Sequence, residues 1–143
     1  TWLDATYTEF VTGDYRQDVE QDDLSGNYLQ NAPKYTLNGV LDYRRPVTAT
    51  GAFVGRMEAS YQDTVYFTEF NNSDAEQEAY GLLNLMAGYE GGDGKWSVTG
   101  WVRNATDEFV YSNNIITAPL YGSVRVGSLL PPRTYGLTLS LNF

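Results

Sequence analysis

Hydrophobic and polar residues alternate along most of this chain with a period of two. The clearest case is the C-terminal segment, in which Tyr135, Leu137, Leu139, Leu141 and Phe143 alternate with small or polar residues. Successive side chains of a β-strand point to opposite faces. This segment therefore predicts a strand with one apolar face and one polar face.

The same alternation predicts six strands in all and no convincing helix. The strands cover residues 1–9, 34–46, 52–67, 79–90, 95–111 and the C-terminal segment that ends at residue 143. Trp101 is an exception, because its position places an aromatic ring on the polar face.

The connections between the predicted strands alternate in length. Residues 10–33, 68–78 and 112–132 form long connections, whereas 47–51 and 91–94 are short. The second short connection, Gly-Gly-Asp-Gly, predicts a tight hairpin because glycine adopts positive φ at little cost. Long loops on one side and short turns on the other are typical of outer-membrane barrels. We therefore expect an all-β fold, an antiparallel up-and-down transmembrane β-barrel, with the long loops extracellular and the short turns and chain end periplasmic.

Six strands do not close such a barrel by themselves. An open sheet edge would leave backbone groups unpaired in hydrocarbon, and the smallest single-chain barrels have about eight strands. The chain also begins abruptly, in the strand-like segment 1–9. We therefore expect residues 1–143 to be the C-terminal part of a larger barrel domain.

The composition narrows the function classes. The 143 residues contain no Cys and no His, so disulfides, thiol chemistry and histidine-based catalysis or metal binding are excluded. We predict no catalytic residue, no metal site and no cofactor, and an enzyme is the least expected class. The net charge of -9 argues against a nucleic acid partner. A mean hydropathy of -0.39 is compatible with a membrane protein, because a barrel strand needs only about ten alternating residues.

Acidic residues are concentrated in two of the long connections. Segments 10–33 and 68–78 together contain nine acidic residues and one basic residue. Neither segment matches a calcium-binding loop, so solvated acidic loops are the favoured interpretation, and Ca²⁺ binding stays open. The negative field disfavours a simple free anion as a ligand.

Charged side chains also occur on the polar faces of the predicted strands. They are Asp42, Arg44, Arg56, Glu58 and Arg103. In a barrel filled by another domain they would line the lumen and bind that domain by salt bridges or hydrogen bonds. A solvated strand face explains them equally well.

Aromatic side chains lie near the predicted strand ends, and aromatic and amide side chains lie in and beside the last long connection, where they could contact lipid or a ligand. Aromatic residues near the predicted strand ends fit the girdles of a membrane barrel, or the core of a soluble sandwich. They are Tyr43, Tyr61, Tyr89 and Trp96. Candidate ligand contacts in and beside the last long connection are Tyr111, Asn113, Asn114 and Tyr121, since Tyr and Asn supply aromatic area and hydrogen bonds.

Four stretches resemble the C-terminal part of a TonB-dependent receptor, an active transporter of Gram-negative outer membranes. Residues 31–36 resemble the start of a late barrel strand, and 96–107 resemble the penultimate strand, which runs into an Asn-x-x-Asp element at Asn104. Residues 132–137 resemble the last strand. The alternation that ends at Phe143 is similar to the signal that outer-membrane assembly machinery recognises.

The resemblance implies a barrel of about 22 strands with these as its last six, and a plug domain that is absent from this chain. It implies TonB-dependent active transport of a scarce nutrient across the bacterial outer membrane. The nutrient would be an iron–siderophore complex, cobalamin or an oligosaccharide, for example. The implied partners are outer-membrane lipid, the plug domain and the rest of the barrel, a TonB-type energising complex and the small-molecule ligand.

Two alternatives stay open on the sequence alone. A passive outer-membrane channel or small structural barrel would conduct solutes without TonB. A soluble acidic β-sandwich binding module would stay in solution without detergent. Both accommodate the same strand alternation.

Overall fold

The computed structural model of the protein describes residues 1–13, 23–117 and 119–142. The strands are β1 Thr36–Thr48, β2 Gly51–Gln62, β3 Val65–Tyr66, β4 Glu76–Gln77, β5 Tyr80–Gly91, β6 Trp96–Arg103, β7 Tyr111–Ile116, β8 Arg125–Leu129 and β9 Thr134–Leu141. Short 3₁₀ turns cover Ser73–Ala75 and Pro119–Tyr121. The acidic residues between 14 and 22, and the terminal Phe143 of the expected assembly signal, lie outside the described residues.

Five of the strands form one sheet, in the order β1-β2-β5-β6-β9. β5 pairs antiparallel with β6, and β6 pairs antiparallel with β9. β1 and β2 form a hairpin around Ala49 and Thr50. The all-β, antiparallel, up-and-down prediction is confirmed, and within the described residues the sheet is open along β1 and β9 and is not closed into a barrel.

The chain divides into two compact units. The loop unit consists of Thr1–Thr36, Gln62–Tyr80 and Phe109–Leu130, and the sheet unit consists of Leu37–Tyr61, Gly81–Glu108 and Pro131–Phe143. In the loop unit, β3 pairs with β4 and β7 pairs with β8, both antiparallel.

The register gives the sheet unit two chemically different faces. Tyr89 pairs with Val98, which pairs in turn with Leu139, so apolar side chains of three strands share one face. Thr99 pairs with Thr138, which places small polar side chains on the other face. The prediction of one apolar and one polar face is therefore confirmed for β5, β6 and β9.

Most of the buried hydrophobic side chains belong to the loop unit, whereas the large hydrophobic side chains of β1 and β9 are exposed. The buried hydrophobic residues of the loop unit are Leu24, Val65, Phe67, Phe70, Ala75 and Val110. On β9, Tyr135 is 81% exposed and Leu137 is 75% exposed. An exposed apolar surface of this kind requires an apolar partner. This inversion of the usual burial pattern fits a sheet that faces lipid.

The predicted first strand, 1–9, is wrong, so the sheet has five strands rather than six. Trp2 and Thr6 form only isolated bridges, with Tyr35 and Tyr28. Asn31 lies between these two partners and has a φ of 54°. A left-handed residue bends the chain away from the extended path, so no continuous ladder forms there.

Other strand ends also differ from the predictions. The predicted strand 95–111 ends at Arg103, because Asn104 adopts a left-handed φ of 49°. The long connection 112–132 contains most of the β7–β8 hairpin, which the alternation did not reveal.

The two short turns lie as predicted, at the same end of the sheet as the end of β9. The backbone N–H of Asp93 donates to the carbonyl of Thr50 at 3.0 Å. The backbone N–H of Asn142 donates to the carbonyl of Lys95 at 2.7 Å. These bonds join the two short turns to each other and to the end of β9.

In the part of the chain that the structure describes, no helix has the length and apolar character needed to cross a bilayer. Among the same residues, no group of three acidic side chains is arranged to hold a metal ion.

Candidate functional site

Three of the charged residues predicted on the polar strand faces, Asp42, Arg56 and Glu58, form ion pairs with one another. Arg56 Nη1 lies 3.4 Å from Asp42, and Arg56 Nε donates to Glu58 at 2.7 Å. Arg44 pairs with Glu90. Because these side chains are largely exposed, each pair contributes little to stability. The network is therefore better explained as a charge-balanced surface than as a source of stability.

Arg103 lies on the same polar face, at a cavity of about 290 Å³ that Arg56 and Glu58 also line. Asn84 belongs to this cavity too, and its Nδ2 donates to Glu58 at 3.5 Å. The sequence analysis did not identify Asn84 and Glu90. Both residues alternate with the apolar residues of β5, so the same period of two would have placed them on the polar face.

The opposite face carries an aromatic cluster close to the short turns. The rings of Phe53 and Tyr89 are 5.4 Å apart at 75°, and those of Tyr89 and Trp96 are 5.5 Å apart. Such tilted contacts are favourable arrangements for aromatic pairs. Trp96 pairs with Leu141, so this cluster lies at the end of β9 remote from Tyr135. Aromatic residues thus lie towards both ends of the apolar face, as in the girdles of membrane barrels.

Gly88→Ala is expected to weaken the contact between β5 and β6. A Cβ atom at Gly88 would lie 2.4 Å from the carbonyl oxygen of Val98 and 2.9 Å from Cα of Thr99. Backbone atoms cannot rotate away, so the strands must separate, at a cost of about 1 to 2 kcal/mol. The matched control is Gly39→Ala in β1, where a Cβ meets nothing within 4 Å. The measurement is the temperature at which the folded band of each variant disappears in electrophoresis. The same temperature for both variants would contradict the close approach of β5 and β6 at Gly88.

The Asn-x-x-Asp element at the end of β6 forms a set of hydrogen bonds around one buried amide. Asn104 is 6% exposed, and its Oδ1 accepts from the Glu108 N–H at 2.9 Å. Its Nδ2 donates to the carbonyls of Glu108 at 2.9 Å and Pro131 at 3.4 Å. Its own backbone N–H donates to Asn84 Oδ1 at 3.0 Å. The Asn104 side chain therefore ties the end of β6 to the chain just before β9, and its backbone N–H adds a bond to β5.

Asp107 connects this element to the last strand. Its Oδ1 accepts from the backbone N–H of Arg133 at 3.0 Å, and its Oδ2 accepts from the Arg133 guanidinium at 3.3 Å. Arg133 Nη1 also donates to the carbonyl of Ala105 at 3.4 Å. We call Asn104, Asp107 and Arg133 the clasp. Residues 96–107 and 132–137, which resembled the penultimate and last strands of one family, are therefore in contact.

The predicted ligand contacts lie in and beside the β7–β8 hairpin of the loop unit. Asn113 is exposed, and Tyr121 is 72% exposed. The ring of Tyr111 forms an edge-on contact with Phe109 at 5.4 Å. Asn114 is only 8% exposed. The structure therefore leaves the side chains of three of the four candidates accessible, and their contact with a ligand stays a prediction.

Asn114 instead holds the hairpin to the segment before β4. Its Nδ2 donates to the backbone carbonyl of Asp74 at 3.2 Å. Arg125, on the partner strand β8, forms an ion pair with the Asp74 carboxylate. The hairpin thus packs its polar side inward, which leaves Ile115 and Val126, a cross-strand pair, about half exposed.

A small cavity of the loop unit, about 190 Å³, is lined by aromatic and charged side chains. Tyr28, Lys34, Asp63 and Tyr66 contribute to it. The rings of Tyr28 and Tyr66 are 6.3 Å apart and nearly parallel. Burial raises the pKa of the Tyr66 phenol, and the Glu76 carboxylate and Tyr28 add to this effect. Tyr66 therefore stays protonated at neutral pH and can donate a hydrogen bond.

Comparison with known proteins relates this chain to the β-barrels of outer-membrane receptors. Residues 1–105 match the family model described as TonB dependent receptor-like, beta-barrel. Among solved structures, the chain is similar to the ferric yersiniabactin uptake receptor FyuA from Yersinia pestis, with a TM-score of 0.71 and 21% sequence identity. The match covers 85% of this chain and 18% of that receptor chain, so this chain spans a minor part of the receptor's length. At this identity the likeness concerns the fold.

Proposed function

The chain belongs to the TonB-dependent receptor-like β-barrel family, and we propose that it forms part of the wall of an outer-membrane transporter. The observation that carries the proposal is the two-faced sheet, with an exposed apolar face and a charge-paired polar face. A barrel wall separates lipid from a polar interior, and antiparallel strands with this alternation meet both requirements.

In this proposal the polar face lines the barrel lumen. Asp42, Arg44, Arg56, Glu58 and Arg103 contact the domain that plugs the barrel. Ion pairs between the exposed side chains support this role, because they leave a nearly neutral surface that can be covered at moderate cost. The apolar side of the last strand contacts lipid and carries the assembly signal. Its residues are Tyr135, Leu137, Leu139, Leu141 and Phe143.

The proposed activity is active uptake of a scarce nutrient. The extracellular loops capture the ligand, with Tyr111, Asn113, Asn114 and Tyr121 as contact candidates, and a TonB-type complex energises passage past the plug. The ligand classes are iron–siderophore complexes, cobalamin and oligosaccharides. Since the similar Yersinia protein is a ferric yersiniabactin uptake receptor, a ferric chelate is the first class to test.

The test measures uptake by cells that express the full-length receptor containing these strands. The host is a Gram-negative strain without siderophore or cobalamin receptors of its own, in matched forms with and without TonB. Labelled ferric chelates, cobalamin and an oligosaccharide are offered in turn at submicromolar concentration.

We expect one class to enter only cells that have TonB, because only energised transport accumulates a solute against its gradient. Equal entry with and without TonB would favour the passive channel. A receptor that stays soluble after cell fractionation would favour the sandwich module and contradict the proposal.

A further inference from the structure

Among the described residues, Arg103 differs from Arg44 and Arg56 on the polar face in forming no ion pair, and its charge acts on Glu58 only from a distance. Arg44 pairs with Glu90, and Arg56 pairs with two carboxylates. Across residues 1–13, 23–117 and 119–142, no carboxylate oxygen lies within ion-pair distance of the Arg103 guanidinium. The nearby Glu58 is held by Arg56 and Asn84. Arg103 therefore keeps its hydrogen-bond donors free for another group.

The Arg103 side chain is held in place by Trp101, two residues earlier on β6. The guanidinium carbon lies 5.4 Å from the centroid of the indole ring, within the range of a cation–π contact. The contact places the guanidinium beside the ring, and the planar group carries its N–H donors along its edges.

Trp101 is itself fixed by β9. Its indole N–H donates to Thr138 Oγ1 at 3.3 Å. A Cβ atom at Gly136 would lie 2.5 Å from the ring, so only glycine leaves room for the indole here. Because Thr138 accepts this bond through its oxygen, the proton of its own hydroxyl stays available.

We propose that Arg103, Trp101 and Thr138 form a carboxylate-binding site on the polar face of the sheet, an inference that rests on the proposed function of this face as the barrel lumen. All three line one cavity of about 290 Å³, which has room for a carboxylate and a short side chain. A carboxylate matches the guanidinium edge in shape, accepts two parallel hydrogen bonds, and accepts a third from the Thr138 hydroxyl. Its source is either an Asp or Glu side chain of the same receptor or a carboxylate on a passing solute.

The site is tested in the full-length receptor labelled with 5-fluorotryptophan, with the Trp101 signal assigned from a Trp101→Phe variant. Sodium acetate is titrated against sodium chloride at constant ionic strength. We expect a saturable shift of the Trp101 signal with acetate that Arg103→Gln abolishes. Arg103→Lys should weaken acetate binding by about tenfold, as expected for the loss of one charge-assisted hydrogen bond. The matched control is Arg45→Gln, since Arg45 has the opposite parity on β1.

Each outcome separates the two sources or overturns the site. An acetate shift that depends on Arg103 identifies a site open to solutes. The second possible result is that acetate causes no shift but the Trp101 signal titrates at acidic pH. If Arg103→Gln removes this titration and Glu58→Gln retains it, the bound group is a carboxylate of the receptor. An acetate shift that survives in Arg103→Gln, or no shift and no titration that depends on Arg103, overturns the proposal. If Arg103→Gln fails to assemble, Arg103→Lys supplies the same comparison.

Discussion

Leu139→Arg is expected to destabilise the folded receptor by about 2 to 4 kcal/mol, the cost of a cation on the lipid face of a barrel near the bilayer midplane. Leu139 lies between Tyr135 and Leu141, which pairs with Trp96, so it sits between the two aromatic ends of the apolar face. It is 64% exposed, so the loss would come from lipid contact and not from a protein core. The temperature at which the folded band disappears in electrophoresis measures the effect.

The control for Leu139→Arg is Ser140→Arg, one position along the same strand. Ser140 pairs with Ser97 on the polar face, so a cation there remains in polar surroundings and should cost less than about 1 kcal/mol. A similar loss in both variants would mean that β9 tolerates no arginine on either face. An unchanged melting temperature in Leu139→Arg would mean that this face does not contact lipid.

Asn104→Ala is expected to cost about 2 to 3 kcal/mol, because it removes the centre of the clasp. The substitution leaves the N–H and the carbonyl of Glu108 and the carbonyl of Pro131 without their present partner. Unsatisfied groups in a part-buried setting cost about 1 to 3 kcal/mol each, and partial access to water reduces the sum. The left-handed φ of 49° adds a penalty for alanine. We expect a lower melting temperature and less folded receptor in the outer membrane.

Two further variants separate the causes of the Asn104 effect. Asn104→Gly restores the backbone freedom but not the hydrogen bonds, so it should recover up to about 1 kcal/mol relative to alanine. Asn113→Ala removes an exposed amide of the same type and should change stability by less than about 0.5 kcal/mol. Equal stability of Asn104→Ala and Asn113→Ala would show that the clasp does not hold β9 to β6.

The clasp suggests how the long excursion between β6 and β9 is tolerated. Residues between Glu108 and Pro131 leave the sheet unit and form part of the loop unit. Closing a connection of this length costs entropy that rises slowly with its length. By bonding both ends of the excursion, Asn104 and Asp107 fix the β6–β9 register regardless of the sequence between them. The residues between Glu108 and Pro131 can therefore vary in sequence without changing the pairing of β6 with β9.

Alternation by itself was sufficient to predict the wall and its two faces. On β9 every second residue from Tyr135 to Leu141 is apolar and lies on the exposed face. The period of two follows from strand geometry, and lipid and lumen impose opposite polarity on the two faces, so the pattern survives in the sequence. Trp101 was also placed correctly on the polar face, as an exception whose partners the sequence did not identify.

Long-range contacts were decided only by the tertiary structure. No spacing rule connects Asn104 with Pro131, Asp107 with Arg133, or Trp101 with Gly136. The failure of residues 1–9 to form a strand depends on the left-handed Asn31 in their partner segment, which alternation does not register. The sequence by itself determined which side chains lie on the apolar face and which lie on the polar face, because that choice depends on local parity. The pairing of Arg44 with Glu90 depends on strand register across the sheet, and only the folded sheet decides that register.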